Sequence, residues 1–163
     1  MPGRLRVELG QQHADDLRTR SLQASQRDAG IARSLNSGFW RLPGGNFLSD
    51  WDWHEAIGPR DKRPPMFDYA WGAMQPNDLG MDEWMDLTRI IGVEPYVTVN
   101  AGLGDANSAA EEVEYLNGAV TTDWGAKRAA NGHPEPYRVK WWNIGNEPFG
   151  WWQIGRASCR ERV

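Results

Sequence analysis

Residues 81–100 read MDEWMDLTRIIGVEPYVTVN, and this stretch decides the fold class. Its first part repeats mostly apolar side chains every three or four positions, at Met81, Trp84, Met85, Thr88 and Ile91. This spacing predicts an amphipathic helix over 81–91 that ends at Gly92. The second part, 95–100, is rich in β-branched and aromatic residues and predicts a strand. A helix that leads directly into a strand is typical of α/β proteins.

Two further strands are predicted, one on each side of this unit. The first covers Phe39 to Leu42 and is stopped by Pro43-Gly44-Gly45, and the last covers 139–144. Residues 48–80 are predicted to form one long loop, which in a compact domain is usually functional. The alternation of strands with helices indicates parallel βα units. Because a complete (β/α)8 TIM barrel needs about 250 residues, the chain is predicted to form part of such a barrel.

Three further helices complete the predicted elements. They cover 31–38, Ser108 to about Gly118, and 123–130. The second of them is predicted from a capping box, with Ser108 as the N-cap and Glu111 three positions later.

The composition excludes several classes of protein. The chain has 163 residues, a net charge of -4 and a single cysteine, Cys159. The negative charge gives no basic field to attract nucleic acid, and a single cysteine excludes a multi-cysteine zinc site. No apolar run is long enough to span a membrane, and the first residues are not expected to be a signal peptide. Its ten tryptophans exceed what a core of this size needs, and flat indole rings are natural platforms for sugars.

The scattered histidines and the acids of the long loop are not predicted to bind metal or to catalyse. The histidines are too far apart for a metal motif and are predicted to lie on the surface or in loops: His13, His54 and His133. The loop acids are predicted to be solvated: Asp50, Asp52 and Glu55.

Polar side chains follow the three predicted strands, at Asn46, at Asn100 and at Asn146-Glu147. In parallel α/β folds the carboxyl ends of the strands carry the chemistry. A general acid that works at neutral pH needs a carboxyl group with a raised pKa, which apolar aromatic walls provide by desolvating the charge. Glu147, which follows a strand and is flanked by tryptophans, is therefore the candidate catalytic acid. The alternative is a glutamate in a surface turn.

Four blocks between about Phe39 and Gly155 carry a family resemblance. They are RLPGGNF at 41–47, DW with IGPR and RP at 52–64, AWG with Asn77, Gly80 and Glu83 at 70–83, and WNIGNE at 142–147, which WWQIG continues at 151–155. In this order they resemble the α-L-arabinofuranosidases of glycoside hydrolase family 51.

The resemblance implies a retaining glycosidase with two glutamates at strand ends. No cofactor or metal is expected. Glu147 matches the general acid/base, and Asn146 matches the residue that hydrogen-bonds the 2-hydroxyl group of the sugar. Asn46 matches a residue of the arabinose pocket, and Trp71 an aromatic wall near the cleaved bond. Arg41 matches a basic residue beside the nucleophile, with a structural ion pair as the alternative.

The chain departs from the family at both ends. The family's nucleophilic glutamate lies on a later strand, and residues 1–30 do not resemble its first strand. We therefore expect 31–155 to form about the second to fourth βα units of the barrel and the polypeptide alone to be inactive. Residues 153–163 resemble the conceptual translation of a sequencing-adapter oligonucleotide, so 156–163 is expected to be an artefactual tail; a genuine basic tail is the alternative.

The predicted function of the full-length parent is the release of terminal α-L-arabinofuranosyl groups from arabinose-containing oligosaccharides or polysaccharides. Nucleic acid and membranes are not expected partners, the expected location is the cytoplasm, and homo-oligomerisation is left open. The alternative from another class is a non-catalytic, tryptophan-rich carbohydrate-binding module. Such modules are typically β-sandwiches, which the helices predicted at Met81 and Ser108 disfavour. A third reading, an unrelated α/β binding domain, has no motif to support it.

Overall fold

A computed structural model describes residues 28–147 in two units. The described part of the first covers 28–37 and 90–92, and that of the second covers 38–89 and 93–147. The predictions for 1–27 and 148–163, including His13 and the tail, lie outside the described residues. The described part of the first unit is helical over 28–34 (α1). Within this unit, Arg33 Nε donates a hydrogen bond of 2.9 Å to the carbonyl of Ile90. The predicted helix over 31–38 thus ends at residue 34, earlier than expected.

The second unit contains a parallel sheet and a small antiparallel hairpin. Its strands are β1 (Phe39–Leu42), β2 (Met66–Asp68), β3 (Ala73–Gln75), β4 (Glu94–Val99) and β5 (Trp141–Ile144). The parallel sheet has the order β1-β4-β5, with Arg41 opposite Tyr96 and Thr98 opposite Asn143. The predicted parallel α/β arrangement is confirmed, and the β-sandwich of a carbohydrate-binding module is not what these residues form.

Three helices connect these strands: α2 (Met81–Ile91), α3 (Ala106–Asn117) and α4 (Asp123–Ala130). The bounds of α2 and α4 agree with the predicted ones. In the part of the chain that the structure describes, no helix is long and apolar enough to cross a membrane.

The predicted start of α3 is wrong. The N-cap is Asp105, whose carboxylate accepts a hydrogen bond of 2.8 Å from the backbone N–H of Ser108. Ser108 therefore lies inside the helix rather than at its cap. An aspartate accepts this hydrogen bond at least as well as a serine, and it stands three residues earlier in the chain. Gly118 caps the other end of the helix, as expected.

The prediction of one long loop over 48–80 is also wrong. The region contains short 3-10 turns at Asn46–Asp50, Trp53–Ala56 and Arg60–Lys62, and then the antiparallel β2–β3 hairpin. Strands of three residues are too short to show the alternation that predicts a strand.

Arg63 holds this region against the start of α2. Its guanidinium makes a two-pronged ion pair with Glu83, at 2.9 and 2.8 Å, and also donates to the carbonyls of Gly58 and Asn77. The side chain of Arg63 is almost fully buried, so these charge-assisted hydrogen bonds are little screened by water. They also hold the pKa of Glu83 below its usual value, against the opposing effect of burial. The region is thus a fixed part of the fold.

The core brings this region together with the sheet and the helices. Its buried members are Leu48, Trp51, Trp53, Ala56, Met81, Trp84, Met85, Val97, Tyr115, Leu116 and Val139. Trp84 is in the core, as predicted. Trp142 packs against the core while its neighbour Trp141 is exposed, as expected for successive residues of a strand.

Candidate functional site

Three of the predicted site residues meet at the carboxyl ends of the strands. Arg41 lies on β1, Asn46 begins the turn that follows β1, and Asn146 follows β5. A guanidinium N–H of Arg41 donates to Oδ1 of Asn146 at 3.0 Å, and Nδ2 of Asn146 donates to Oδ1 of Asn46 at 2.9 Å. Asn146 is buried, so its amide is held between these two partners rather than by water.

The turn after β5 needs its glycine. Gly145 has a φ of +68°, and its N–H donates to the carbonyl of Val99 at 3.0 Å. A Cβ at this position would lie 3.1 Å from the Cβ of Ala101. Backbone conformation and space therefore both favour glycine here. The turn continues through Glu147, which has a φ of +44°, a conformation that is costly for a residue with a side chain.

Glu147 lies beside Asn146 in sequence but is exposed. Among residues 28–147, none donates a hydrogen bond to its carboxylate or forms an ion pair with it. The expectation that tryptophans enclose this carboxylate is not met by Trp142, which packs into the core instead. The tryptophans at 151 and 152 are among the residues that the structure does not describe.

Trp71 lies in the turn between the two strands of the β2–β3 hairpin and is 70% exposed. The turn is held by Asp68, a buried carboxylate that accepts hydrogen bonds from the backbone N–H groups of Ala70 and Trp71, at 3.0 and 3.1 Å. The hairpin therefore presents the indole to solvent. None of the hydrogen bonds among the described residues joins it to Arg41 or Asn146.

Two residues of this region do more than the sequence predicted. Asn100, after β4, donates to the carbonyls of Ser49 and Trp51 at 3.1 and 3.0 Å, which fastens the turn after β1 to the sheet. Asp50 is half-buried rather than solvated, and burial, together with the nearby charge of Asp68, raises its pKa. The only sequence signal for Asn100 was its position after a strand, and nothing in the sequence could pair Asp50 with a residue 18 positions away.

His54 is not a simple surface histidine. Its Nδ1 lies 2.6 Å from the carboxylate of Asp52 and its Nε2 lies 2.9 Å from that of Glu111. The ring also packs against Trp53 and Trp124, with centroid distances of 4.0 and 5.0 Å. It connects the loop region to α3. Over residues 28–147, no group of three or more histidine, cysteine, aspartate or glutamate side chains is placed to hold a metal ion.

Comparison with known proteins shows which family this chain belongs to. The family model described as "Alpha-L-arabinofuranosidase 1 domain" matches residues 31–156. The chain is 43% identical over 121 residues to an intracellular exo-α-(1→5)-L-arabinofuranosidase of Bifidobacterium longum, covering 74% of this chain and 21% of that protein. It is 40% identical over 121 residues to α-L-arabinofuranosidase C of Emericella nidulans, covering 74% of this chain and 24% of that protein.

Solved structures of α-L-arabinofuranosidases are also similar to this chain. The crystal structure of the α-L-arabinofuranosidase from Thermotoga maritima in complex with arabinose is 42% identical, with a TM-score of 0.76 over 80% of this chain and 27% of that one. The family 51 enzyme from Thermotoga petrophila is 44% identical, with a TM-score of 0.74 over 79% of this chain and 27% of that one. The chain thus spans about a quarter of the length of these relatives. It belongs to the α-L-arabinofuranosidases of glycoside hydrolase family 51.

Proposed function

We propose that this chain forms part of the catalytic barrel of an enzyme that releases terminal α-L-arabinofuranosyl groups from arabinose-containing oligosaccharides or polysaccharides. The observation that carries the proposal is the group of Arg41, Asn46 and Asn146, hydrogen-bonded to one another at the carboxyl ends of β1 and β5. In (β/α)8 barrels this is the end at which active sites lie. Membership of the family supports the reaction.

We also propose which part of the barrel the chain forms. The parallel order β1-β4-β5 fits three neighbouring strands of a barrel, with residues 31–155 as about its second to fourth βα units. The nucleophile and the remaining strands of the barrel would then come from parts of the full-length enzyme outside residues 31–155. A cytoplasmic location is proposed because the Bifidobacterium longum relative is named intracellular. Homo-oligomerisation is left open.

In the proposed reaction Glu147 is the general acid/base. In a retaining glycosidase one carboxylic acid protonates the leaving oxygen while a second carboxylate, about 5–5.5 Å away, attacks the anomeric carbon. The first group then activates the water that releases the sugar. Asn146, held in a fixed orientation next to Glu147, would bind the 2-hydroxyl group of the arabinose. Asn46 and Arg41 would complete this side of the pocket, with Trp71 as an aromatic wall towards the rest of the substrate.

The test uses a complete enzyme, in which residues 31–156 of this chain replace the matching segment of the Thermotoga maritima enzyme. In this protein Glu147 is changed to alanine. Hydrolysis of substrates with poor leaving groups should fall by about 10²–10⁴-fold, because they need protonation. With aryl substrates, whose activated leaving groups need little protonation, the rate of the glycosylation step should fall much less. The matched control, Glu135→Gln, changes an exposed carboxylate. Equal losses on both classes of substrate would contradict the assignment of Glu147.

The same proposal expects the polypeptide 1–163 to have no glycosidase activity by itself. Without the nucleophile no glycosyl-enzyme can form, and a single carboxylic acid has no partner across the sugar. The purified chain should therefore hydrolyse an aryl α-L-arabinofuranoside no faster than its Glu147→Gln variant. Turnover clearly above that control would show that the chain itself supplies a catalytic partner for Glu147, and would contradict the proposal that the nucleophile lies elsewhere.

A further inference from the structure

A linear chain of hydrogen bonds joins Arg41, Asn146 and Asn46. Of the three side chains, only that of Arg41 can act solely as a donor. A guanidinium group has N–H donors and no acceptor, whereas each carboxamide has an oxygen that accepts and a nitrogen that donates. The direction of the whole chain can therefore be worked out from Arg41.

The atom of Asn146 that faces Arg41 must be an acceptor, so it is Oδ1, at 3.0 Å. Nδ2 of Asn146 then faces Asn46, 2.9 Å away. Because Nδ2 donates, the atom of Asn46 that receives it must be Oδ1, and Nδ2 of Asn46 serves partners other than Asn146. One arginine thus determines the orientation of two carboxamides. Asn46 stands 100 residues from Asn146 in the sequence.

We propose that Arg41 is a positioning residue, which sets the amide orientation of Asn146 and, through it, that of Asn46. The inference rests on the proposed function, in which the two asparagines bind the hydroxyl groups of arabinose. A flipped Asn146 would place its N–H₂ group against the guanidinium, donor against donor. The flipped state is therefore disfavoured while Arg41 is present, and the pocket presents a single pattern of donors and acceptors to the sugar.

This role differs from that of a positive charge that acts on a carboxylate elsewhere in the pocket. A charge effect would persist without Asn146, whereas the positioning effect requires it. The two can be separated in a double-mutant cycle, because residues that act through one another are not additive.

The kinetic experiment uses the complete enzyme that carries residues 31–156 of this chain. The variants are Arg41→Met, Arg41→Lys, Asn146→Ala and the double variant Arg41→Met/Asn146→Ala, assayed on an aryl α-L-arabinofuranoside. We expect Arg41→Met to lower kcat/KM by about 10–100-fold, and by less than about 2-fold when Asn146 is already alanine. Arg41→Lys, which still offers only donors, should restore most of the loss. An undiminished loss in the Asn146→Ala background would overturn the inference, as would a lysine variant no better than methionine.

A second readout does not depend on activity and uses the full chain of 163 residues. Exchange of the side-chain amide protons of Asn146 and Asn46 with solvent is followed by NMR, with the backbone N–H of Gly145 as the internal reference for folding. Arg41→Met should speed exchange of the Asn146 amide protons while Gly145 stays protected, and Arg41→Lys should not. Unchanged exchange in Arg41→Met would refute the positioning role.

A further variant covers the case in which Arg41→Met does not fold. Asn146→Asp keeps an acceptor for Arg41 but replaces the donor Nδ2 by oxygen, so Asn46 must turn its own Nδ2 towards residue 146. The amide protons of Asn46 should then shift and become more protected, and an unchanged Asn46 would overturn the inference. If the complete enzyme folds but shows no arabinofuranosidase activity, the proposed function fails, and the NMR results still decide the role of Arg41.

Discussion

The most testable consequence of the structure outside the site is the burial of Glu112. This carboxyl group lies in α3 and is 1% exposed, and within residues 28–147 its Oε1 has no hydrogen-bond partner. Burial raises its pKa from 4.5 to about 8. The side chain is therefore protonated in the folded protein at neutral pH, and ionising it requires that a charge be left in the interior.

The sign and size of the effect on stability follow from these two pKa values. Between pH 4.5 and pH 8 the folded chain holds a proton on Glu112 that the unfolded chain has lost. The stability associated with this proton is complete below pH 4.5, falls as the pH rises and is lost above about pH 8. At about 1.4 kcal/mol for each pKa unit, the decrease between pH 4.5 and pH 7 is about 3 kcal/mol.

The perturbation is Glu112→Gln, which keeps the shape of the protonated acid and cannot ionise. Thermal unfolding of the full chain and of the variant is followed by circular dichroism from pH 4.5 to pH 9. The two should unfold at similar temperatures at the acid end, and the variant should gain about 6–12 °C over the parent by pH 7, given about 2–4 °C per kcal/mol for a chain of this size. The exposed control Glu135→Gln should show no such divergence. Parallel curves for Glu112→Gln and the parent would refute the burial of an ionisable group at this position.

Two further changes test the helices. Gly125→Ala should destabilise the chain in urea unfolding, although alanine favours a helix by about 1 kcal/mol, because the new Cβ would lie 2.0 Å from the carbonyl oxygen of Ala119; a stabilised variant would show that this contact is wrong. Asp105→Ala should cost about 1 kcal/mol as the loss of an N-cap, whereas Ser108→Ala should cost less, and the reverse order in the same unfolding experiment would restore Ser108 as the cap.

The best predicted elements are those with many periodic positions and with a residue that clearly ends them. The helix over 81–91 has five periodic positions and a following glycine, and its bounds agree with the structure. The start of α3 was missed because two residues three positions apart, Asp105 and Ser108, could each cap a helix, and the pattern alone does not say which one the backbone uses. The β2–β3 hairpin was missed because its strands have only three residues each.

The candidate site was predictable in part for a different reason. Residues that follow parallel strands meet at one edge of a sheet whatever their separation in sequence, so Asn46 and Asn146 could be expected to lie close together. The surroundings of a carboxylate depend instead on the packing of distant segments. Tryptophans flank Glu147 in the sequence, and this pattern predicts an enclosed carboxylate. In the described part of the chain, however, Glu147 is exposed.

The sheet order also explains why the site needs an arginine and a bent turn. β1 and β5 lie on opposite sides of β4, so their backbones are about 10 Å apart, twice the usual spacing between strands. A short side chain on the strand β1 itself cannot cross that distance, whereas Arg41 can extend from β1 to Asn146. Asn46 reaches Asn146 from the turn that follows β1 instead. The turn at Gly145 brings Asn146 to meet it, because its positive φ redirects the chain immediately after the strand. A glycine in the turn and a long, donor-only side chain two strands away are thus parts of one arrangement. Gly145→Ala and Arg41→Met should therefore both speed the exchange of the Asn146 side-chain amide protons measured by NMR, and an unchanged rate in Gly145→Ala would contradict the role given to the turn.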